Sequence, residues 1–220
     1  MNKEIRSLEF EIRAEETGNE KRAGRLTGMP IVFDQATDLG WYQETIDRDA
    51  LNKCDLRDVR FLVGHDTSMI PLARSRNNNE NSTMQLTVTD RGMEIRVDLD
   101  IENNPRAKEL YSAVQRGDIS GMSFMFTVDK DSWTDTDTDY PKRLIRSISR
   151  VLEVSAVAFP AYPQTQIQAA SEGETLDSVR ASLESARQQL AEERAKEADQ
   201  ERRTAVLEWL ENYKKEEKNA

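Results

Sequence analysis

The sequence predicts an α+β protein in which β-structure dominates. The expected architecture is an antiparallel β-barrel or sandwich with helical decoration, followed by a long C-terminal helix. Three observations carry this. Short runs of alternating apolar and polar residues recur between turn signals. One segment among them has a helical stripe with start and stop signals at its two ends. Composition then breaks near residue 170: the preceding chain holds almost all the Phe, Pro and Gly, whereas residues 171–220 are mainly Glu, Lys, Arg, Gln and Ala.

Taken in order, Ile5, Leu8, Phe10 and Ile12 suggest one early strand over residues 4–13, with an off-beat at Leu8. Residues 18–24 form a charged loop between two glycines. Residues 26–33 read as a strand in which Pro30 marks an edge or a bulge. Trp41 to Ile46 gives another short strand, and Asp49-Ala50-Leu51-Asn52 begins a short helix. Val59, Phe61 and Val63 alternate, which places His65 on their face of one strand. The clearest hairpin covers residues 83–101. Met84, Leu86 and Val88 alternate, Asp90-Arg91-Gly92 turns, and Met93, Ile95, Val97 and Leu99 alternate on the return.

A helix follows, capped by Asn103 or Asn104, with Pro105 in its first turn and Ala107, Leu110, Tyr111 and Val114 as its apolar stripe. Gly117 ends it. Met122, Phe124, Phe126 and Val128 share one face of the next strand. Residues 131–139 are rich in Asp and Thr and read as an exposed loop. Residues 143–159 give one or two further strands. From Leu176 the spacing turns helical through Val179, Leu183, Ala186 and Leu190, then slips to a neighbouring stripe. A solvated helix and an oligomerising or docking helix both fit that pattern.

Composition narrows the function. Lys and Arg number 31 against 41 Asp and Glu, a net charge of −10, which repels a phosphate backbone and argues against nonspecific nucleic-acid binding. Cys54 is the single cysteine, so no intrachain disulfide forms, as in a reducing compartment. No signal-like stretch opens the chain, and no apolar run reaches the roughly 18 residues that span a bilayer, so a soluble, cytoplasmic-type protein with no membrane partner is expected. One His and one Cys make a zinc site improbable, and no cofactor is called for; an oxygen-ligated magnesium site stays open.

The one histidine, His65, is the natural candidate for a general base near neutral pH. Ser123, one residue into a strand after a glycine turn, projects opposite the phenylalanine face and is a candidate nucleophile; a plain solvent-facing serine fits the same spacing. Glu153 is an acid inside an otherwise apolar strand, costly unless paired, and so a candidate third member. A solvated strand-edge Glu fits as well. Asp66 competes for that role, although side chains adjacent on a strand point apart. Gly64 and Gly121 are candidate points of close backbone approach. Cys54 is a weaker nucleophile candidate, more simply a buried or incidental thiol.

Several segments together resemble the prohead (head-maturation) proteases of tailed phages, distant relatives of the herpesvirus assemblins. In family order they are residues 26–33, Glu44-Thr45-Ile46, Phe61-Leu62-Val63-Gly64-His65-Asp66, Leu72-Ala73-Arg74, Thr89-Asp90-Arg91-Gly92-Met93, residues 117–126 around Ser123, and residues 153–163 from Glu153. The resemblance implies an assemblin-type antiparallel β-barrel with surrounding helices. It implies a serine endopeptidase with His65, Ser123 and Glu153 in the catalytic positions. Its substrates would be the scaffold or delta region of the major capsid protein, and itself, inside the immature capsid in the host cytoplasm. A homodimer or higher oligomer through the helices is expected.

Two departures from the family pattern matter. Met125 stands where a glycine is usual. A second histidine, the assemblins' third member, is absent, leaving a Ser-His-acid triad or a Ser-His dyad. The expected organisation is a protease domain over 1–165, a linker and autocleavage region over 166–175, and a helical scaffold-like or docking segment over 176–220. A catalytically weak or inactive capsid scaffolding or assembly protein on the same fold is the alternative, and an unrelated hydrolase using Cys54 is a third reading.

Overall fold

A computed structural model describes residues 3–8, 12–14, 24–158 and 174–219. In chain order the elements are β1 (Lys3–Leu8), β2 (Ile12–Ala14), β3 (Arg25–Val32), β4 (Thr37–Asp38), β5 (Gln43–Ile46), β6 (Asp58–Val63), β7 (Ala73–Arg76), β8 (Met84–Thr89), β9 (Gly92–Asp98), α1 (Pro105–Arg116), β10 (Gly121–Thr134), β11 (Lys142–Val157) and α2 (Glu174–Asn219). Two compact units divide the chain, Met1–Val179 and Arg180–Ala220. Most of the expected autocleavage region and the expected loop over 18–24 lie outside the described residues. Among the described residues, no helix is long and apolar enough to cross a membrane.

The mainly-β, α+β expectation holds, with a correction to its architecture. One sheet runs β1-β10-β11-β5-β4, with β6 also on β11 and β7 on β6; the other runs β2-β3-β9-β8. The larger sheet is mixed, because β11 pairs in parallel with both β5 and β6. Neither sheet's order, among the described residues, returns to its first strand, so an antiparallel barrel is not what forms. Hairpins join strands antiparallel, but β5 and β6 reach β11 only through long intervening chain, which permits parallel pairing. The two sheets share one core, in which Leu26, Ile31 and Met93 from one meet Phe61, Phe124 and Phe126 from the other, all without exposed surface. Each such side chain contributes roughly 1.5–3 kcal/mol by burial.

Local signals decided α1. Asn104 accepts hydrogen bonds from the backbone N–H groups of Arg106 and Ala107, Pro105 begins the helix, and Gly117 ends it at φ 78°. The β8–β9 hairpin also forms as its alternation requires. Gly92, at φ 153°, has no room for a side chain: a Cβ there would lie 1.9 Å from the Ile31 carbonyl oxygen. Gly92→Ala is therefore expected to cost more than about 1 kcal/mol, read as a lowered urea midpoint at unchanged slope. Pro30 does mark a bulge, since the β3–β9 register slips between Gly28 and Ile31.

Other local readings change. The early strand is two strands in different sheets, β1 and β2. Asp49–Cys54 is a series of turns, with the Ala50, Asn52 and Cys54 N–H groups donating to the carbonyls of Asp47, Asp49 and Leu51. Residues 131–134 extend β10 rather than forming loop, held by the pairing of Asp131 with Ile145 through Thr134 with Lys142.

β1 also buries the side chains that simple alternation would turn outward. Glu4 and Arg6 are buried, while Ile5 is half-buried. Arg6 donates to Glu44 (2.5 and 2.8 Å), to Glu4 (2.5 Å) and to the Tyr42 hydroxyl (3.2 Å). Arg143 donates to both Glu4 oxygens (2.6 and 2.9 Å), to Glu44 (3.0 Å) and to Asp131 (2.7 Å). This cluster ties β1 to β5 and β11, on the face of β10 that carries Phe126, whose ring centroid lies 5.6 Å from the Arg6 guanidinium.

Candidate active site

Register places the site. Ser123 on β10 faces Ser155 on β11, and Met125 faces Glu153. Directly paired antiparallel residues share a sheet face, so Ser123, Ser155, Met125 and Glu153 lie opposite the Phe124–Phe126 core face. A bulge makes this possible. Phe126 pairs with Val151 although Met125 pairs with Glu153, leaving Leu152 as the extra residue. Val151 and Glu153 thus face opposite ways despite being two apart, and the carboxylate leaves the core face. The shift falls immediately after Met125.

His65 is not on β6 as alternation suggested. β6 ends at Val63, and Gly64 (φ 59°) and His65 (φ 60°) both turn left-handed. The Gly64 N–H donates to the Ala156 carbonyl (3.0 Å), which fixes the turn against β11. Continued extension would have sent the imidazole to the Val59–Phe61 core face; the turn carries it to the other side. Gly64 supplies this conformation rather than a close approach, since a Cβ there would meet nothing within 4 Å. A histidine at positive φ is strained and must be held by its surroundings.

The three candidate residues meet. Ser123 Oγ lies 2.6 Å from His65 Nε2, and His65 Nδ1 lies 2.7 Å from Glu153 Oε1. Ser123 has no exposed surface, Glu153 is 2% exposed, and the His65 side chain, at 17%, is the open edge of the group. The Arg6 carbonyl of β1 also lies 2.9 Å from Ser123 Oγ. Such a chain moves a proton from a hydroxyl to an imidazole whose far N–H is held by a carboxylate.

The same order of residues carries a family match. The family model for caudovirus prohead serine proteases covers residues 8–179. The chain belongs to this prohead protease family. It is also similar to the prohead protease of Enterobacteria phage HK97, with 27% identity over 124 residues, 56% of this chain and 50% of that protein. The chain therefore spans about half the length of that curated relative. No solved structure matches it.

The competitors in this prohead-protease chain are placed elsewhere. Asp66 is exposed, and its carboxylate accepts from the Ser68 hydroxyl (2.5 Å) and N–H (2.9 Å), bonds that hold it below its ordinary pKa. Burial pushes the Cys54 thiol up to about 12, so it stays protonated at neutral pH and is a poor nucleophile there. Both ring nitrogens of His65 are already engaged by Ser123 and Glu153. One residue of the site was missed in the sequence: Ser155, whose hydroxyl lies 2.5 Å from Glu153 Oε2 and 3.1 Å from the His65 main-chain nitrogen. Its signal was present, two residues beyond Glu153 on the same strand face.

Proposed function

We propose that the chain is a serine endopeptidase of phage prohead maturation, with Ser123 as nucleophile, His65 as general base and acid, and Glu153 as the orienting carboxylate. The observation that supports this most is the continuous Ser123–His65–Glu153 hydrogen-bond chain, drawn from three separate segments in a member of the prohead serine protease family. The productive tautomer carries its proton on Nδ1, donated to Glu153. Nε2 then takes the Ser123 proton as Oγ attacks the scissile carbonyl, and returns it to the leaving amine. Water then attacks the acyl-enzyme carbonyl and gives its proton to Nε2, which passes it to Ser123 Oγ as the Oγ–acyl bond breaks. The Ser123 hydroxyl also lies within donating distance of the Arg6 carbonyl (2.9 Å), so its one proton turns from that carbonyl to Nε2 when the base takes it.

The proposed substrates are the scaffold or delta region of the major capsid protein, and the chain itself, within the immature capsid. A homodimer or higher oligomer through the helices belongs to the same reading. A non-catalytic assembly protein has no need of the hydrogen-bonded relay, and the relay therefore favours the enzyme.

Co-expression with the cognate capsid protein tests this on a gel. Cleavage is expected with the unaltered chain and absent with Ser123→Ala or His65→Ala. Cleavage that survives Ser123→Ala removes the nucleophile assignment, and cleavage lost only in Cys54→Ala transfers it to the thiol. Self-processing has its own readout. Intact-mass spectrometry is expected to show a cut within residues 166–175 that is missing in Ser123→Ala; only full-length chain under conditions that process capsid protein would contradict it.

A further inference from the structure

We propose that Ser155 is a positioning residue for the Ser123–His65–Glu153 chain, one hydroxyl fixing both the acid and the backbone of the base. The inference rests on the protease reading above for its catalytic meaning, and on three geometric facts for its substance. The Ser155 hydroxyl donates to Glu153 Oε2 at 2.5 Å, the oxygen that His65 does not use. The same Oγ accepts the main-chain N–H of His65 at 3.1 Å. Ser155 has no exposed surface, so both bonds are made away from bulk solvent.

The chemistry needs both. A carboxylate as buried as Glu153 is costly unless its lone pairs are used, and two donors on two oxygens also fix the plane in which Oε1 meets Nδ1. His65 sits at φ 60°, a conformation that persists only where neighbours hold it. The His65 N–H bond to Ser155, with that of Gly64 to Ala156, ties this turn to β11. A serine hydroxyl donates and accepts at one atom, which is what this position requires. Alanine fits the space but leaves a buried carboxylate oxygen and a backbone N–H without their partner. Cysteine keeps nearly the same shape and weakens both bonds.

The one histidine makes a direct test possible, because all imidazole signals belong to His65. The full chain carrying Ser123→Ala, which removes self-cleavage, is labelled with ¹⁵N, and the downfield Nδ1 proton is followed by NMR. Adding Ser155→Ala is expected to move that signal upfield and to speed its exchange with solvent by about tenfold or more, as loss of a bond to a charged group implies. Ser155→Cys is expected to fall between, and covers the case in which the alanine variant does not fold. An unchanged Nδ1 proton in the folded variants overturns the positioning role. Failure of the protease reading shows separately, as intact capsid protein in the presence of the unaltered chain.

Discussion

Ser123→Ala should lower kcat for capsid-protein cleavage by about 10⁴–10⁶-fold, and His65→Ala by a similar factor. The two act as one unit, so the double variant should be no slower than either alone. Without the hydroxyl there is no acyl-enzyme, and without the imidazole the hydroxyl has no acceptor for its proton. Glu153→Gln should cost less, about 10³–10⁴-fold, because nucleophile and base remain while the imidazole loses its anionic partner and its preferred tautomer. Asp66→Asn should leave the rate near that of the unaltered chain, since Asp66 is spent on Ser68 and is exposed. Progress curves on gels compare the five variants with the unaltered chain. A slow Asp66→Asn with a fast Glu153→Gln would reverse the third assignment.

The largest effect on stability should come from Arg143→Leu. Arg143 is 3% exposed, and its guanidinium makes contacts to Glu4, Glu44 and Asp131. Leucine would take the guanidinium from all three acids and leave Arg6 bonded to Glu4 and Glu44. Breaking a buried pair from one side costs about 3–5 kcal/mol, a large part of a typical 5–15 kcal/mol total. Arg143→Lys should recover only part, because an ammonium does not reproduce the bidentate contact to both Glu4 oxygens. Urea unfolding measures both, and a change below about 1 kcal/mol for the leucine variant would contradict a structural role.

The same cluster gives stability a pH dependence. Burial works to raise the Glu4 pKa, but the charge of Arg6 and the bonds and charge of Arg143 outweigh it, leaving the carboxyl below its ordinary value of 4.5. A folded pKa below the unfolded one contributes stability that is complete above the ordinary value and is lost as pH falls through the lower folded value. Glu4→Gln should flatten the stability curve in that acid range.

What the sequence made legible follows from how local each cause is. The helix α1 is written in Asn104, Pro105 and Gly117, and the β8–β9 hairpin in its alternation. The face of β10 that carries Ser123 is legible too, because the strand alternates cleanly between Phe124, Phe126 and the opposite face. His65 was assigned to a strand because nothing in Gly64-His65 announces two consecutive left-handed residues; the Ala156 carbonyl that holds the turn is far along the chain. Glu153 is legible as an acid inside an apolar strand, but the way it points is not. Strict alternation puts it with Val151 on the core face, and only the bulge at Leu152 turns it to His65. The charged cluster escaped notice because its partners lie 38 and 139 residues from Arg6 and Glu4, so each looked like a solvated strand charge. Parallel pairing of β6 on β11, which brings His65 and Glu153 together, is equally nonlocal.

Active-site labelling tests the central assignment most directly. The full chain is treated with a fluorophosphonate, digested, and the adduct located by tandem mass spectrometry. The triad predicts a single adduct on Ser123 that His65→Ala prevents. An adduct on another residue, or capsid protein cleaved by a chain whose Ser123 stays unlabelled, would contradict it.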